Sequence, residues 1–207
     1  QNLEDDEFES KRVLTNIQDE ELSARVSHEL NLGGVALELG FDLVGIASAE
    51  PFPDKEQVTL KRIRQCLMNG LPWFHEARVR RGCHPQEILP GARSIIAVAM
   101  SYLTEDMAQP SDTLRGKVAR YAWGQDYHRV MEQRLKLLVK GLSQGLDRNI
   151  RARVYVDTGP MLDRAVAQRA GIGWYGKNTN VLTPSHGSWV VLGQVLWDLE
   201  LAPDAPL

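Results

Sequence analysis

The sequence predicts an α/β (α+β) fold, a single sheet flanked by helices, and three observations carry that reading. Ser94 to Tyr102 (SIIAVAMSY) packs β-branched residues densely enough for a strand buried on both faces. Met131, Leu135, Leu138 and Leu142 recur at a 4-3-4 spacing, the apolar stripe of an amphipathic helix. Helical and strand patterns alternate along the chain, and the composition, 43% hydrophobic and 25% charged, suits a soluble globular core.

Residues 1–21 carry eight acids against Lys11 and Arg12, a net charge of −6, and read as an acidic lead of disordered composition. The other 186 residues carry 22 basic and 19 acidic side chains, a mildly basic body compatible with a phosphate backbone. Leu22, Val26 and Leu30 repeat at helical spacing, and Val35 to Leu39 continue that helix or begin another, with Gly40 as the stop. Leu43 to Ala47 reads as a short buried strand. Pro51-Phe52-Pro53 is then a loop, and Leu60, Ile63 and Leu67 mark a helix ending at Asn69-Gly70.

Residues 71–91 read as loop, being rich in proline and glycine, and hold the basic run Arg78-Val79-Arg80-Arg81. A polar loop follows the central strand from Thr104 to Lys117. Arg153 to Asp157 is a second strand, Pro160 sits near the first turn of the next helix, and Gly171 ends it. The last strand spans Ser188 to Leu196. Leu201 to Leu207 has the composition of a linker. The organisation expected is therefore a lead (1–21), a main domain (22–200) and a linker (201–207). Sheet order is not encoded in this pattern.

Several function classes are excluded or weakened. No apolar run approaches the roughly 18–20 residues that span a bilayer, and the N-terminus lacks a secretory signal, so a cytoplasmic protein with no membrane partner is expected. The chain begins with Gln rather than Met, which reads as a processed, trimmed or fragmentary product. Cys66 and Cys83 form no CxxC pair, and His28, His75, His84, His128 and His186 form no HxxxH or HExxH pattern. No protein-held metal site is expected. GxxxxGK[ST], a strand-borne GxGxxG and GxSxG are all absent, which disfavours NTPases, Rossmann dehydrogenases and serine hydrolases.

Three segments are too polar or glycine-rich to be packing alone. In Arg120 to His128 (RYAWGQDYH), Asp126 is either the cap of the following helix or an acid among Tyr, His and Trp. Partial burial would raise its pKa and keep it a proton donor. Val156 to Arg164 (VDTGPMLDR) leaves a strand through Asp-Thr-Gly-Pro straight into a helix, either an ordinary turn or a cradle of backbone N–H groups and a hydroxyl. Ala170 to Asn180 (AGIGWYGKNTN) has the glycine density that lets a main chain approach a bulky ligand.

Together these segments resemble the epoxyqueuosine reductase family. The resemblance runs from about Leu39 onward and rests on GFDLVGIA, LPGARS, DYH, VDTGP, RAGIGWYGKN and GSW in that order. Gly70 to Phe74 fits it only loosely. The resemblance implies a cobalamin-binding catalytic domain of the nitroreductase-like or reductive-dehalogenase-like type. Its reaction would reduce epoxyqueuosine to queuosine at the tRNA wobble position, with reduced cobalamin as reductant and Asp126 as proton donor. It also implies that Ser101, Thr158, Arg164, Lys177 and Asn178, with Asp126, line the corrin. In the family a ferredoxin-like domain with two 4Fe–4S clusters follows the Glu200–Asp204 stretch. Two cysteines cannot build such a cluster, so this chain is expected to need that iron–sulfur domain in cis or in trans, and to have little turnover alone. Two alternatives stay open: a corrinoid-binding module without turnover, and a flavin-binding relative on the same broad fold.

Overall fold

The computed structural model describes residues 31–105, 116–144, 146 and 150–207. The acidic lead and the expected helix around Leu22, Val26 and Leu30 lie outside the described residues. Among the described residues the first element is helix α1 (Leu32–Glu38), which Gly40 ends with φ +79. Strand β1 (Leu43–Ser48) follows, then helices α2 (Pro53–Arg64), α3 (Glu76–Cys83) and α4 (Pro85–Ile88). Strand β2 (Ser94–Ser101), helix α5 (Tyr127–Gln144), strand β3 (Ala152–Tyr155) and helix α6 (Asp163–Arg169) come next. A two-residue hairpin, β4 (Trp174–Tyr175) with β5 (Val181–Leu182), precedes the last strand, β6 (Val190–Trp197).

The main sheet has the order β1-β2-β6-β3, with every neighbour antiparallel. The last strand therefore sits inside the sheet, Ser101 opposite Val190 and Ser94 opposite Trp197. Side chains alternate across β2, as a period of two requires. Ile96 and Val98 join Val195 and Trp197 under the α5 stripe Met131, Leu135, Leu138 and Leu142. Ile95, Ala97 and Ala99 face the other way, onto α6 and α3 through Ala165, Val166, Val79 and Cys83. Each of the four stripe residues is almost fully buried, which contributes about 1.5–3 kcal/mol apiece. The predicted two-sided burial of the central strand is what the structure contains.

Several boundaries differ from expectation for identifiable reasons. Residues 71–91 are not mainly loop. Pro85 opens α4 at its first turn, where a missing N–H costs nothing, and His75 Nδ1 accepts the Arg78 N–H at 3.3 Å to cap α3. Gly82 lies inside α3 because a Cβ there would stand 2.1 Å from the Pro160 carbonyl oxygen. Helix α2 stops at Arg64, short of Asn69, because Cys66 turns left-handed (φ 59) and Leu67 points to solvent. Helix α6 begins at Asp163, so Thr158 to Pro160 are a loop ahead of it and not its first turn.

The C-terminal segment lies along the outer edge of β1. Leu201 is buried and its N–H donates to Ser94 Oγ at 2.8 Å. Ile46 N–H donates to Asp204 Oδ2 at 2.7 Å, and Asp204 N–H to the Ile46 carbonyl at 2.9 Å. These bonds occupy an edge that would otherwise expose unpaired backbone groups.

Candidate active site

The segments singled out in the sequence meet at one end of the sheet, where β2 finishes and β6 starts. Asp42, just ahead of β1, accepts the Ser101 N–H at 2.6 Å. Tyr102 N–H donates to the Trp189 carbonyl at 3.0 Å, and the two rings meet edge to face. Tyr102 also meets Tyr121, which meets Tyr127, so an aromatic chain joins the sheet end to the start of α5. The Arg120 guanidinium stands over the Trp123 and Trp189 rings.

Asp126 occupies the position just before α5. Its Oδ1 accepts the His128 N–H at 3.0 Å and lies 2.8 Å from His128 Nδ1. The capping role is thus realised, because the carboxylate satisfies one of the helix's orphan N–H groups. The expected burial is not. The Asp126 side chain is 53% exposed, and the bonds from the His128 ring and then its backbone N–H hold the carboxyl below its usual range. In this arrangement Asp126 rests as a carboxylate at neutral pH. Desolvation, the only force that would have raised its pKa, is too small here to win.

On its far side the His128 ring approaches a second carboxylate, with Nε2 3.6 Å from Asp157 Oδ2. Tyr127 OH donates to the same oxygen at 3.1 Å, and its ring stacks on His128. Burial first, and then the Asp157 charge, push the Tyr127 phenol well above its ordinary value. Asp157 has φ +55 at the centre of a tight turn closed by Thr158 N–H to the Val156 carbonyl at 2.5 Å. A non-glycine residue held there is under backbone strain, which persists only where surrounding contacts enforce it. Helix α3 is one such contact: Arg78 donates to the Gly159 carbonyl at 2.7 Å.

The remaining predicted residues surround this turn but engage the protein itself. Thr158 Oγ1 donates to the Val156 carbonyl at 3.3 Å, and Ser101 Oγ accepts the Leu103 N–H at 3.2 Å. Arg164 reaches across to the Thr179 carbonyl at 2.8 Å and so fastens the glycine-rich turn to α6. Asn178 Oδ1 accepts the Asn180 N–H at 3.2 Å within that turn, and Lys177 is exposed beside it. Two clefts elsewhere do not touch these residues, one between α1 and β1 beside Asp204 and one between the start of α2 and α6.

Sequence reasoning missed Asp163 as a site-adjacent group. Gln194, on β6, donates to its Oδ1 at 2.6 Å, while Gln194 Oε1 is buried without a partner. Burial, then the Asp157 charge, raise the Asp163 pKa to about 6. The Leu-Asp-Arg triplet was visible, but the contact with a residue 31 positions away was not.

The donor set suits a large, amide-bearing, partly apolar ligand. The Ser101 and Thr158 hydroxyls, the Asn178 amide and exposed Lys177 on the turn that Arg164 fastens, and the exposed Trp189 ring beside Tyr102 lie around this end of the sheet. That chemistry fits a corrin, whose flat periphery wants aromatic surface and whose amide arms want neutral hydrogen-bonding partners. Among the described residues no group of three His, Cys, Asp or Glu could hold a metal ion. Cys83 is buried and its thiol is pushed up to about 11 by burial, whereas Cys66 is exposed.

Comparison with known proteins points to one family. The family model for epoxyqueuosine reductase QueG, DUF1730, matches residues 82–158. An epoxyqueuosine reductase of Bacillus cereus is 41% identical over 172 residues, covering 82% of this chain and 44% of the relative. An epoxyqueuosine reductase solved with an epoxyqueuosine-modified tRNA-Tyr stem loop superposes with a TM-score of 0.77 at 34% identity, over 85% of this chain and 46% of the other. The Bacillus subtilis enzyme, solved with its aspartate-bearing catalytic loop swung out of the active site, gives 0.75 at 34% identity, over 85% and 46%. A reductive dehalogenase discussed for B12-dependent dehalogenation gives 0.53 at 18% identity over 86% of this chain and 20% of its own, a likeness of fold alone. The chain spans about half the length of the curated relatives it matches. By sequence and by fold, it belongs to the epoxyqueuosine reductase family.

Proposed function

We propose that residues 22–200 are the cobalamin-binding catalytic domain of an epoxyqueuosine reductase, acting on epoxyqueuosine in the tRNA anticodon loop. The observation that carries this reading is the meeting of Ser101-Tyr102, Asp126 to His128, Asp157 to Pro160 and Arg164 with Thr179 around one end of the sheet. Bound cobalamin would supply the strongly reducing two-electron chemistry that no side chain here provides. Ser101, Thr158, Arg164, Lys177 and Asn178 would meet its amide arms, and Trp174 and Trp189 its apolar edge. In this reading the linker (201–207) leads to a ferredoxin-like iron–sulfur domain, and the protein works in the cytoplasm. No helix among the described residues is long and apolar enough to cross a membrane.

Asp126 would protonate the departing epoxide oxygen, since an unprotonated alkoxide leaves poorly. A placed acid contributes roughly 10²–10⁴-fold to such a step. Ligand packed against the rim would remove water from Asp126 and raise its pKa from the depressed resting value. Hydroxocobalamin titrated into the protein should shift its visible spectrum and co-elute, and Asp126→Asn should bind equally well. Absence of any spectral shift would remove the cobalamin reading. Binding with no epoxide reduction by the complete enzyme would leave the alternative, a corrinoid-binding module without turnover.

A further inference from the structure

We infer that His128 and Asp157 form a proton relay that recharges Asp126, so the site can deliver both protons that removal of an epoxide oxygen consumes. The inference rests on the reductase reading above. Taking an epoxide oxygen away as water breaks two C–O bonds, leaves a C=C bond, and uses two electrons and two protons. The electrons come from the reductant, cobalamin in that reading. One carboxyl can give one proton, and Asp126 rests as a carboxylate. Its protons must therefore arrive from a neighbour.

The geometry supplies one. His128 Nδ1 is 2.8 Å from Asp126 Oδ1, within direct transfer distance, and Nε2 faces Asp157 Oδ2 at 3.6 Å, in ion-pair range and a small movement short of a hydrogen bond. The ring is thus bracketed by two carboxylates, one hydrogen-bonded to Nδ1 and one facing Nε2. Asp157 is 64% exposed and so touches bulk water, the ultimate proton source. Its strained backbone aims it, and Tyr127 OH holds the same oxygen at 3.1 Å. Other charged or titratable groups acting on this set are Tyr121 and Arg129 on the α5 side, and Asp163 with Arg164 on α6.

In each half of the reaction the Nδ1–H bond of His128 breaks as an O–H bond forms on Asp126, while Nε2 takes a proton that water supplies by way of Asp157, so the ring changes tautomer and keeps its charge. Asp126 passes its proton to the substrate oxygen. Between the halves the Nε2 proton returns to water through Asp157 and water protonates Nδ1, which restores the starting tautomer. His128 and Asp157 are positioning and relay residues; Asp126 alone meets the substrate.

Two experiments test this. The first uses the chain itself, without cofactor, with ¹⁵N-labelled histidine. Asp157→Asn should move the His128 Nε2 resonance and leave Nδ1 nearly still, and Asp126→Asn should do the reverse. An Nε2 signal indifferent to Asp157→Asn overturns the relay. The second uses the complete reductase on an epoxyqueuosine stem loop. His128→Gly should lose about 10²-fold or more in rate and regain much of it with added 4-methylimidazole. Loss without rescue would mean His128 only holds the helix start, and the relay would fall. If the unmutated reductase fails on that substrate, the reductase reading falls, while the ¹⁵N result still decides whether the His128–Asp157 link exists.

Discussion

Helices α5 and α6 both begin at an aspartate, at the same end of the same sheet, and the two carboxyls behave in opposite ways. Asp126 is exposed, accepts the ring and backbone bonds of His128, and is held below the ordinary carboxylate range. Asp163 is partly buried on α6 against Gln194 of β6, and burial with the nearby Asp157 charge raises it to about 6. Helix position is nearly the same in both, so it does not set the acidity. Surroundings do: hydrogen bonds from His128 to the charged form dominate at Asp126, whereas burial, followed by the Asp157 charge, dominates at Asp163. The open end therefore holds a carboxylate awaiting a ligand, and the closed layer behind it holds a carboxyl poised between its two forms.

The largest effect expected from breaking this contrast is chemical. Asp126→Asn preserves the cap, because an asparagine oxygen accepts the His128 N–H as well as aspartate does. Thermal stability should stay unchanged while epoxide reduction by the complete enzyme falls by roughly 10²–10⁴-fold. Asp126→Ala should show the same loss of rate with a lowered melting temperature, since the cap goes as well. A melting temperature that falls equally in both variants would assign the effect to folding instead.

The next effect is one of stability and has a definite sign. A native pKa of about 6 against an ordinary 3.8 means the folded state binds the Asp163 proton more tightly than the unfolded state. Stability is then full below about pH 4, falls as the pH rises toward about 6, and stays reduced above it. The difference of about two pH units corresponds to roughly 3 kcal/mol at neutral pH. Asp163→Asn keeps an oxygen for Gln194 and removes the ionisation. Urea titrations across pH 4–7 should show the slope flattened and the neutral-pH midpoint raised. Asp157→Asn should flatten it partly, because the Asp157 charge is the second cause of the shift. A slope unchanged in Asp163→Asn would place the titrating group elsewhere.

What the sequence disclosed follows the same division between local and long-range causes. The α5 stripe, the central strand and the stops at Gly40 and Gly171 were legible because each depends on spacing of a few residues. Insertion of β6 between β2 and β3 was not, since antiparallel pairing across some ninety residues leaves no local mark. Helices α3 and α4 were hidden because Pro85 and Gly82 look like breakers until Pro160 is seen against Gly82. At the site, the motif residues were legible as types and their meeting was not. Burial was least legible of all: it was expected at Asp126, and the structure puts it at Asp163.

The smallest effect concerns what separates the two aspartates, the strained turn from Val156 to Pro160. Its Thr158 N–H bond and the left-handed Asp157 hold only while something presses on the loop. Arg78 does so through the Gly159 carbonyl at 2.7 Å, with its guanidinium also facing the Trp73 ring. Arg78→Met keeps most of the side chain's bulk and deletes that bond, a charged hydrogen bond contributing about 1.5–3 kcal/mol at most. Part of this is offset because the freed carbonyl lies near enough to the surface to take up water. The global melting temperature should fall only slightly, while the Thr158 amide exchanges with solvent distinctly faster. Amides in the middle of α5 should keep their protection, because the Met131–Leu142 packing does not depend on the loop. Unchanged exchange at Thr158 would mean that the turn is held by Gly82 against Pro160 and by Gly159 against the Tyr155 ring, contacts set by shape alone.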